Sequence, residues 1–432
     1  VRPKALTRRR SLLAALMAAL MLLLGSSAAF AQDESSEGVR GVLRFEREPV
    51  QGVRITVVSA DGEEVGEAVT DADGRWEVPV PGAGVYVVTL DVSTLPDDVP
   101  GVESETIETS VNNTQTKSIL FVLGTPDDGS GGESAGGGGF SLDRVAQLTV
   151  EGLRFGVVLA LAALGLSMIF GTTGLTNFSH GELVTFGAIA TWYLNDIGMQ
   201  FLAATAIAVT ITGAFGLVQD TVLWRPLRNR KTGLISMMIV SIGLAVFLRY
   251  TYLYVFSGSR RSFREYTIQT GIEIGPVTLA PRDIASMVIS VAVIAVVVWA
   301  LSSTRLGKAT RAVSDNPALA SASGIDVDQV IRAVWIGGAA LAGLGGVFIG
   351  LSQQVDYQMG FRTLLLVFAA VILGGLGTVS GAIVGAILVG LFIQLSTLVI
   401  PIELQNAGVL GLLIVVLLVR PQGILGRRER VG

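Results

Sequence analysis

Cysteine is absent from the 432 residues, and histidine occurs once. Without cysteine there are no disulfides, thiol nucleophiles or cysteine-ligated metal sites. Charge is scarce as well: 15% of the residues are charged, against about 25% in an ordinary globular domain. Half the chain is hydrophobic and the mean hydropathy is +0.62, which argues against a soluble enzyme. The charges present are segregated. Residues 1–31 carry five basic and no acidic groups, residues 32–141 six basic and 21 acidic, and residues 142–432 twenty basic and 14 acidic, for a net charge of −4. An acidic block between a basic leader and a slightly basic apolar remainder offers no basic surface for nucleic acid.

The leader has the pattern of a secretory signal peptide over residues 1–31. Arg8, Arg9 and Arg10 precede an apolar run from Leu12 to Leu24, and Ala29-Phe30-Ala31 supplies the small-residue cleavage pattern. The alternative is an uncleaved anchor; in either case residue 32 emerges on the outer face. Residues 38–123 show period-two alternation in β-rich runs such as Val53–Val57 and Val85–Leu90, bounded by Gly, Pro and Asp. They predict a small all-β sandwich with a tight turn at Thr70–Arg75, where Asp71 and Asp73 fit a turn better than a calcium loop. The order Gly41-Val42, Pro49–Val53, Thr70–Arg75 and Gly84–Tyr86 resembles the carboxypeptidase regulatory-like, transthyretin-like modules, which mostly bind or space. Residues 124–141, rich in Gly, Ser and acidic residues, predict a flexible linker.

Residues 142–432 contain repeated apolar stretches near the roughly 20 residues that cross a bilayer. Spans are expected at 153–171, 175–194, 199–222, 233–256, 283–303, 330–352, 361–378, 380–400 and 404–420, an all-α polytopic membrane domain of about nine helices. An outside start then leaves the C-terminus inside. The expected inner loops are basic: Arg225, Arg228, Arg230 and Lys231; Arg305, Lys308 and Arg311; Arg420, Arg427, Arg428 and Arg430. Arg260, Arg261, Arg264 and Arg282 fall outside and run against that rule.

Glycine is abundant, 53 residues, and clusters within spans, where small residues let helix backbones approach. Asn177-Phe178-Ser179-His180-Gly181-Glu182 puts ionisable groups at the mouth of the second span. Such groups are costly in a bilayer and commonly functional. Asn177, Ser179, His180 and Glu182 are therefore candidates for a substrate gate, beside the plainer role of starting a helix. No second histidine follows to complete a metalloprotease pair, and adjacent Ser179 and His180 project differently from a helix, so neither a metal site nor a catalytic residue is expected. Leu306-Gly307-Lys308-Ala309-Thr310 only echoes a phosphate loop: Ala309 stands where a magnesium-binding Ser or Thr is required. No nucleotide site or other cofactor is therefore expected in this chain.

Five segments, Gly174–Glu182, Trp224–Arg228, Arg311–Ile325, Leu373–Ala382 and Arg420–Gly426, together resemble the permease subunits of branched-chain amino-acid ABC importers, on the LivH side of the LivH/LivM family. Ser179 stands where that family more often has Ala, and the leader, β domain and linker are additions to it. The resemblance implies a multi-pass permease of the cell membrane, paired with a second permease of LivM type and two cytoplasmic ATPases that bind ATP and magnesium. An extracytoplasmic solute-binding protein would feed it. Residues 304–329 fit the ATPase-coupling element of such a permease, with Arg311, Asp315, Asn316, Pro317 and Gly324; Gly374, Gly375 and Gly377, which serve tight helix packing, are also candidates for the substrate pathway, because a pathway between moving helices needs close, slidable contacts. Urea or short amides remain alternative substrates. A secondary transporter with an extracellular binding domain is a rival reading, though coupling-ion carboxylates are thin. A one-span receptor does not fit the span count, and an intramembrane hydrolase lacks a nucleophile and base.

Overall fold

The structure is a computed structural model. It describes residues 38–426 except 46–47, 60–61, 83, 97–98, 100, 103–104, 112–115, 120, 122, 124–141, 265–270, 400–403 and 421. The expected signal peptide, the linker and Arg427, Arg428 and Arg430 lie outside the described residues. The chain divides into two compact units, residues 1–137 and 138–432.

Among the described residues the first unit has nine strands: β1 (Gly38–Val42), β2 (Arg44–Phe45), β3 (Glu48–Pro49), β4 (Arg54–Ser59), β5 (Glu64–Val69), β6 (Arg75–Pro79), β7 (Gly84–Leu90), β8 (Thr106–Val111) and β9 (Thr116–Ile119). One sheet has the order β5-β4-β7-β8 and a second the order β6-β1-β9, with β1 antiparallel to β6 and parallel to β9. The alternation expected from sequence is realised strand by strand. In β6, Trp76 and Val78 are buried while Arg75, Glu77 and Pro79 face out, and β7 buries Tyr86, Val88 and Leu90. These side chains join Val39, Ile55 and Val57 in one hydrophobic cluster shared by both sheets. Asp71 organises the turn: its Oδ1 accepts from the amides of Asp73 (2.9 Å) and Arg75 (2.8 Å). Gly74 follows at φ +72°, where a Cβ would lie 2.3 Å from the Leu43 carbonyl oxygen.

The second unit is helical: α1 (Leu142–Thr173), α2 (His180–Asp196), α3 (Phe201–Gln219), continued through a π-helical turn (Asp220–Trp224) into α4 (Arg225–Asn229), α5 (Leu234–Phe256), α6 (Pro281–Ser303), α7 (Arg305–Asp315), α8 (Pro317–Ala322), α9 (Val327–Gln353), α10 (Met359–Gly374), α11 (Val379–Ser396) and α12 (Gln405–Val419). A short hairpin, β10 (Ile272–Ile274) and β11 (Val277–Leu279), precedes α6. Among the described residues six helices are long and apolar enough to cross a membrane: α1, α3 with its continuation, α5, α6, α9 and α11. The other three expected spans coincide with α2, α10 and α12, of 17, 16 and 15 residues. Six of the about nine expected spans are thus helices of crossing length among the described residues, and the other three are shorter apolar helices.

The bundle is organised around α1 and α9, apolar helices that are buried along most of their length. An apolar helix buried on all sides belongs at the centre of such an assembly. At the other extreme α6 buries little beyond Ser286, Ser290 and Ile294, and Val291, Val296 and Trp299 are exposed, a surface suited to lipid tails. With lipid outside, helix association rests on close packing. Gly165 approaches Gly338 so closely that a Cβ would meet the Gly338 carbonyl oxygen at 2.4 Å, and Gly346 meets Val184 in the same way at 1.9 Å.

Candidate functional site

The break before α2 creates the site. Gly174 ends α1 at φ +67°, its amide donating to the Phe170 carbonyl at 2.7 Å, and residues 174–179 return without helical structure. Helix resumes at His180, whose Nε2 lies 3.0 Å from the carbonyl oxygen of Ala162. A carbonyl can only accept, so Nε2 carries the proton. Ala162 lies eleven residues before the end of α1, about 16 Å along a helix rising 1.5 Å per residue, so α2 starts roughly halfway through the bundle. The expected span 175–194 is thus non-helical over 175–179 and helical from His180 onward. Its first residues meet a second helix start: the Gly360 amide at the beginning of α10 donates to Thr185 Oγ1 at 3.0 Å. A Cβ on Gly360 would lie 2.0 Å from the Gly181 carbonyl oxygen.

Around this junction the sequence-derived residues Asn177, Ser179, His180 and Glu182 come together, all essentially inaccessible. Asn177 Oδ1 accepts from both the amide (3.1 Å) and the hydroxyl (2.7 Å) of Ser179, so Ser179 precedes the helix without capping it through its side chain. Glu182 Oε1 accepts from Arg249 Nε at 3.2 Å and Nη2 at 3.0 Å, and the Glu182 main-chain oxygen accepts from the Tyr252 hydroxyl at 3.2 Å. The Arg249 guanidinium sits 4.0 Å over the ring of Phe361, a cation–π contact. Asn177 Nδ2, His180 Nδ1 and Glu182 Oε2 are buried without a hydrogen-bond partner. A donor and two acceptors are thus left without protein partners at the junction of α2 and α10. Sequence reading missed Arg249, Tyr252, Thr185 and Gly360. A single arginine within the apolar run 234–256 was a usable signal, since such a charge needs a partner.

A second polar knot closes the end of the bundle bearing α7 and α8. Asp220, fully buried in the π-turn, pairs with Arg228 at 2.7 Å, and Arg225 pairs with Asp328 at 2.6 Å. The buried rings of Trp224 and Trp335 stack with centroids 5.8 Å apart. Above it α7 and α8 form an elbow hinged at Asn316, whose Oδ1 caps α8 by accepting from the Leu319 amide at 3.0 Å, with Pro317 in its first turn. Buried Val313 and Ala320 anchor the elbow in the Trp224–Trp335 cluster. Residues 314–319 and 321–324 are exposed, Leu319 to 65%. Arg311 donates to the Ser302 carbonyl at 3.1 Å, Asp315 is the last residue of α7, and Gly324 turns the chain at φ +86°. Gly307, the centre of the phosphate-loop echo, is a buried helical residue of α7.

Gly374, Gly375 and Gly377 are not part of the His180–Glu182 junction. Gly374 packs on Gly381 across the α10–α11 turn, and Gly375 (φ +116°) abuts residues 425–426. There the amides of Ile424 and Leu425 donate to the carbonyls of Leu373 (2.8 Å) and Gly374 (2.9 Å). Gly377 (φ +74°) lies beside Gly171, which also faces Ser314 Oγ of α7. These glycines shape a turn that clasps the C-terminal segment next to the elbow. Among the described residues no group of three His, Asp or Glu converges to hold a metal.

Residues 148–418 match the family described as "Branched-chain amino acid transport system / permease component". The chain is 32% identical over 304 residues to the high-affinity branched-chain amino acid transport system permease protein BraD of Pseudomonas aeruginosa, covering 66% of this chain and 96% of that protein. It is 31% identical over 299 residues to the LivH permease protein of Escherichia coli, with the same coverage. The probable LivH of Methanocaldococcus jannaschii is 26% identical over 292 residues, with 65% and 92% covered. With a half-helix junction, an exposed elbow and a match through nearly the whole helical unit, the chain belongs to the branched-chain amino acid transport system permease family.

Proposed function

We propose that the chain is the membrane permease subunit of an ATP-driven importer that translocates branched-chain or other small apolar amino acids, with ATP bound and hydrolysed by separate cytoplasmic subunits. The observation that carries this reading is the α7–α8 elbow: an exposed, capped hinge anchored in the bundle beside the inner knot, as a rigid lever driven by a docked ATPase requires. The names of the relatives support the substrate class, and a bundle poor in charge suits a solute that needs an apolar pocket and few polar contacts. Alternating access would move the solute past the Asn177–Glu182 junction without covalent chemistry, and a second permease of LivM type would complete the pathway. A solute-binding protein would deliver the solute outside.

In this reading α2, α10 and α12 complete nine crossings, with the first unit outside and the C-terminus inside. The shared core of the two sheets supports a β-sandwich that tethers or docks an external partner. Deleting residues 33–140 behind a signal sequence should then leave transport intact; normal expression with no transport would refute a separable domain. For the central proposal, the full chain is purified with its ATPase partners and leucine-stimulated ATP hydrolysis is measured. Gly324→Val forces a β-branched residue into the left-handed region, at about 1–2 kcal/mol, and Arg311→Glu reverses charge on the elbow. Both should abolish stimulation while inserting normally, and wild-type stimulation with normal ATPase co-purification in both variants would remove the coupling assignment.

A further inference from the structure

The apolar run Leu234–Phe256 forms α5, which turns Met237, Ser241, Ala245, Leu248 and Tyr252 into the bundle. Its opposite side is exposed. Phe247, Tyr250 and Tyr254 are spaced to share one helix face, with Tyr254 exposed to 91%, and Ile239, Ile242 and Val246 continue that face toward the start of the helix. Met237 packs in the cluster that anchors the elbow, so the tyrosines mark the far end. Along the face the residues are graded: aliphatic first, then phenylalanine, then two tyrosines whose rings are apolar and whose hydroxyls seek water. Rings of that kind belong at the level of lipid headgroups.

Beyond the tyrosines the chain turns sharply. Ser257 holds φ +63° and ψ +174°, a backbone state that a residue with a side chain keeps only when its surroundings enforce it. The loop is fixed by Arg261, whose main chain exchanges hydrogen bonds of 2.9 and 2.7 Å with Val355 and whose guanidinium lies 5.3 Å from the ring centroid of Trp192. Arg261 Nη2 also donates to Ser257 Oγ at 3.5 Å, and the Ser257 and Ser259 hydroxyl oxygens are 2.9 Å apart. Arg260, next in the loop, is exposed and has no ion-pair partner among the described residues. The neighbouring carboxylates are already engaged, Asp196 with Arg264 at 3.7 Å and Asp356 with Arg362. The loop therefore carries positive charge in excess, on what is the outer face in the proposed orientation, where basic residues are the exception.

We propose that the end of α5 binds an anionic phospholipid: Arg260 and the hydroxyls of Ser257 and Ser259 hold its phosphodiester, and an acyl chain lies along Tyr254, Tyr250 and Phe247. A phosphodiester supplies both the acceptors for these donors and the negative charge that Arg260 lacks beside it. A headgroup with an added ammonium would bring a further cation to a loop whose carboxylates are taken, so a net-negative headgroup is preferred over a zwitterionic one. Such a site is independent of the solute carried and of the ATPase. It also gives the basic residues of this loop a reason to stand where they do, since a bound anionic lipid neutralises them.

The full chain, purified with its partner subunits, is titrated by native mass spectrometry with phosphatidylglycerol or phosphatidylethanolamine of identical acyl chains. Phosphatidylglycerol should bind its first site about fivefold more tightly, the increment of one arginine beside an anionic headgroup. Arg260→Gln should remove that preference and leave phosphatidylethanolamine binding unchanged, which also shows that the fold is intact. Arg260→Lys should keep the preference, and Tyr254→Ala should weaken both lipids. Arg305→Gln, a basic residue at the elbow end, is the matched control and should change nothing. Equal binding of the two lipids, a preference that survives Arg260→Gln, or the same loss in Arg305→Gln would overturn the assignment. So would displacement of the lipid by an equal concentration of glycerol 3-phosphate, which would make this a site for a free phosphate. Because the native chain has no cysteine, Tyr250→Cys reports on the face directly: a lipid-soluble maleimide should label it equally with and without the partner subunits, and protection by them would assign the face to a protein helix instead.

Discussion

Replacing Gly360 by alanine adds one methyl group at the most tightly closed point of the candidate site. That carbon would lie 2.0 Å from the Gly181 carbonyl oxygen and 2.3 Å from Thr185 Oγ1. Contacts below 3.0 Å are not tolerated, so the starts of α2 and α10 must separate locally by about 1 Å, which also stretches the Gly360–Thr185 hydrogen bond. Overpacking costs about 1–3 kcal/mol and the lost bond about 0.5–1.5 kcal/mol. Alanine's better helix propensity returns at most about 1 kcal/mol. The net expectation is destabilisation by about 2 kcal/mol. Gly337→Ala is the matched control, because nothing lies within 4 Å of its added carbon, and it should be neutral or slightly stabilising. In detergent-solubilised protein, thermal unfolding followed by fluorescence-detected gel filtration should show Gly360→Ala lower by about 4–8 °C and Gly337→Ala unchanged or higher. Transport should fail selectively in Gly360→Ala. Equal unfolding temperatures for the two variants would refute the close backbone contact between the half-spans.

Two further outcomes follow from the same geometry. Arg249→Ala leaves Glu182 buried without its cation, an arrangement that costs about 3–5 kcal/mol; stability should recover substantially when Glu182→Gln is added, and additivity of the two variants by thermal unfolding would show that the pair does not interact. For the topology, a thiol from Ile197→Cys, 60% exposed at the end of α2, should react with an impermeant reagent in intact cells, whereas one from Leu319→Cys on the elbow should react only after permeabilisation. The reverse pattern would invert the proposed orientation.

Much of the architecture was legible in the residues. Alternation in Arg75–Pro79 and Gly84–Leu90 determines which faces of those strands are buried, because successive side chains point to opposite sides of a sheet. Long apolar runs such as Ile284–Leu301 specify helices, because every backbone polar group in lipid must be satisfied within its own segment. Asn177, His180 and Glu182 stood out because polar groups are rare in such runs. Local sequence did not reveal where a span stops being helical. The expected spans ran through 175–179 and to 378, whereas helix begins only at His180 and ends at Gly374, because partners elsewhere in the bundle decide it: the Ala162 carbonyl for His180, Thr185 for the Gly360 amide, and the 424–425 backbone for the end of α10. The grouping of Gly374–Gly377 with the pathway had the same origin. Glycine announces that something approaches closely, and only the tertiary arrangement decides whether that neighbour is another half-span or the chain's own C-terminal segment. Composition and periodicity thus determined which segments enter the membrane and which faces are buried. The pairing of Glu182 with Arg249, 67 residues apart, was decided by packing, since a buried charge finds its partner in space and not along the chain.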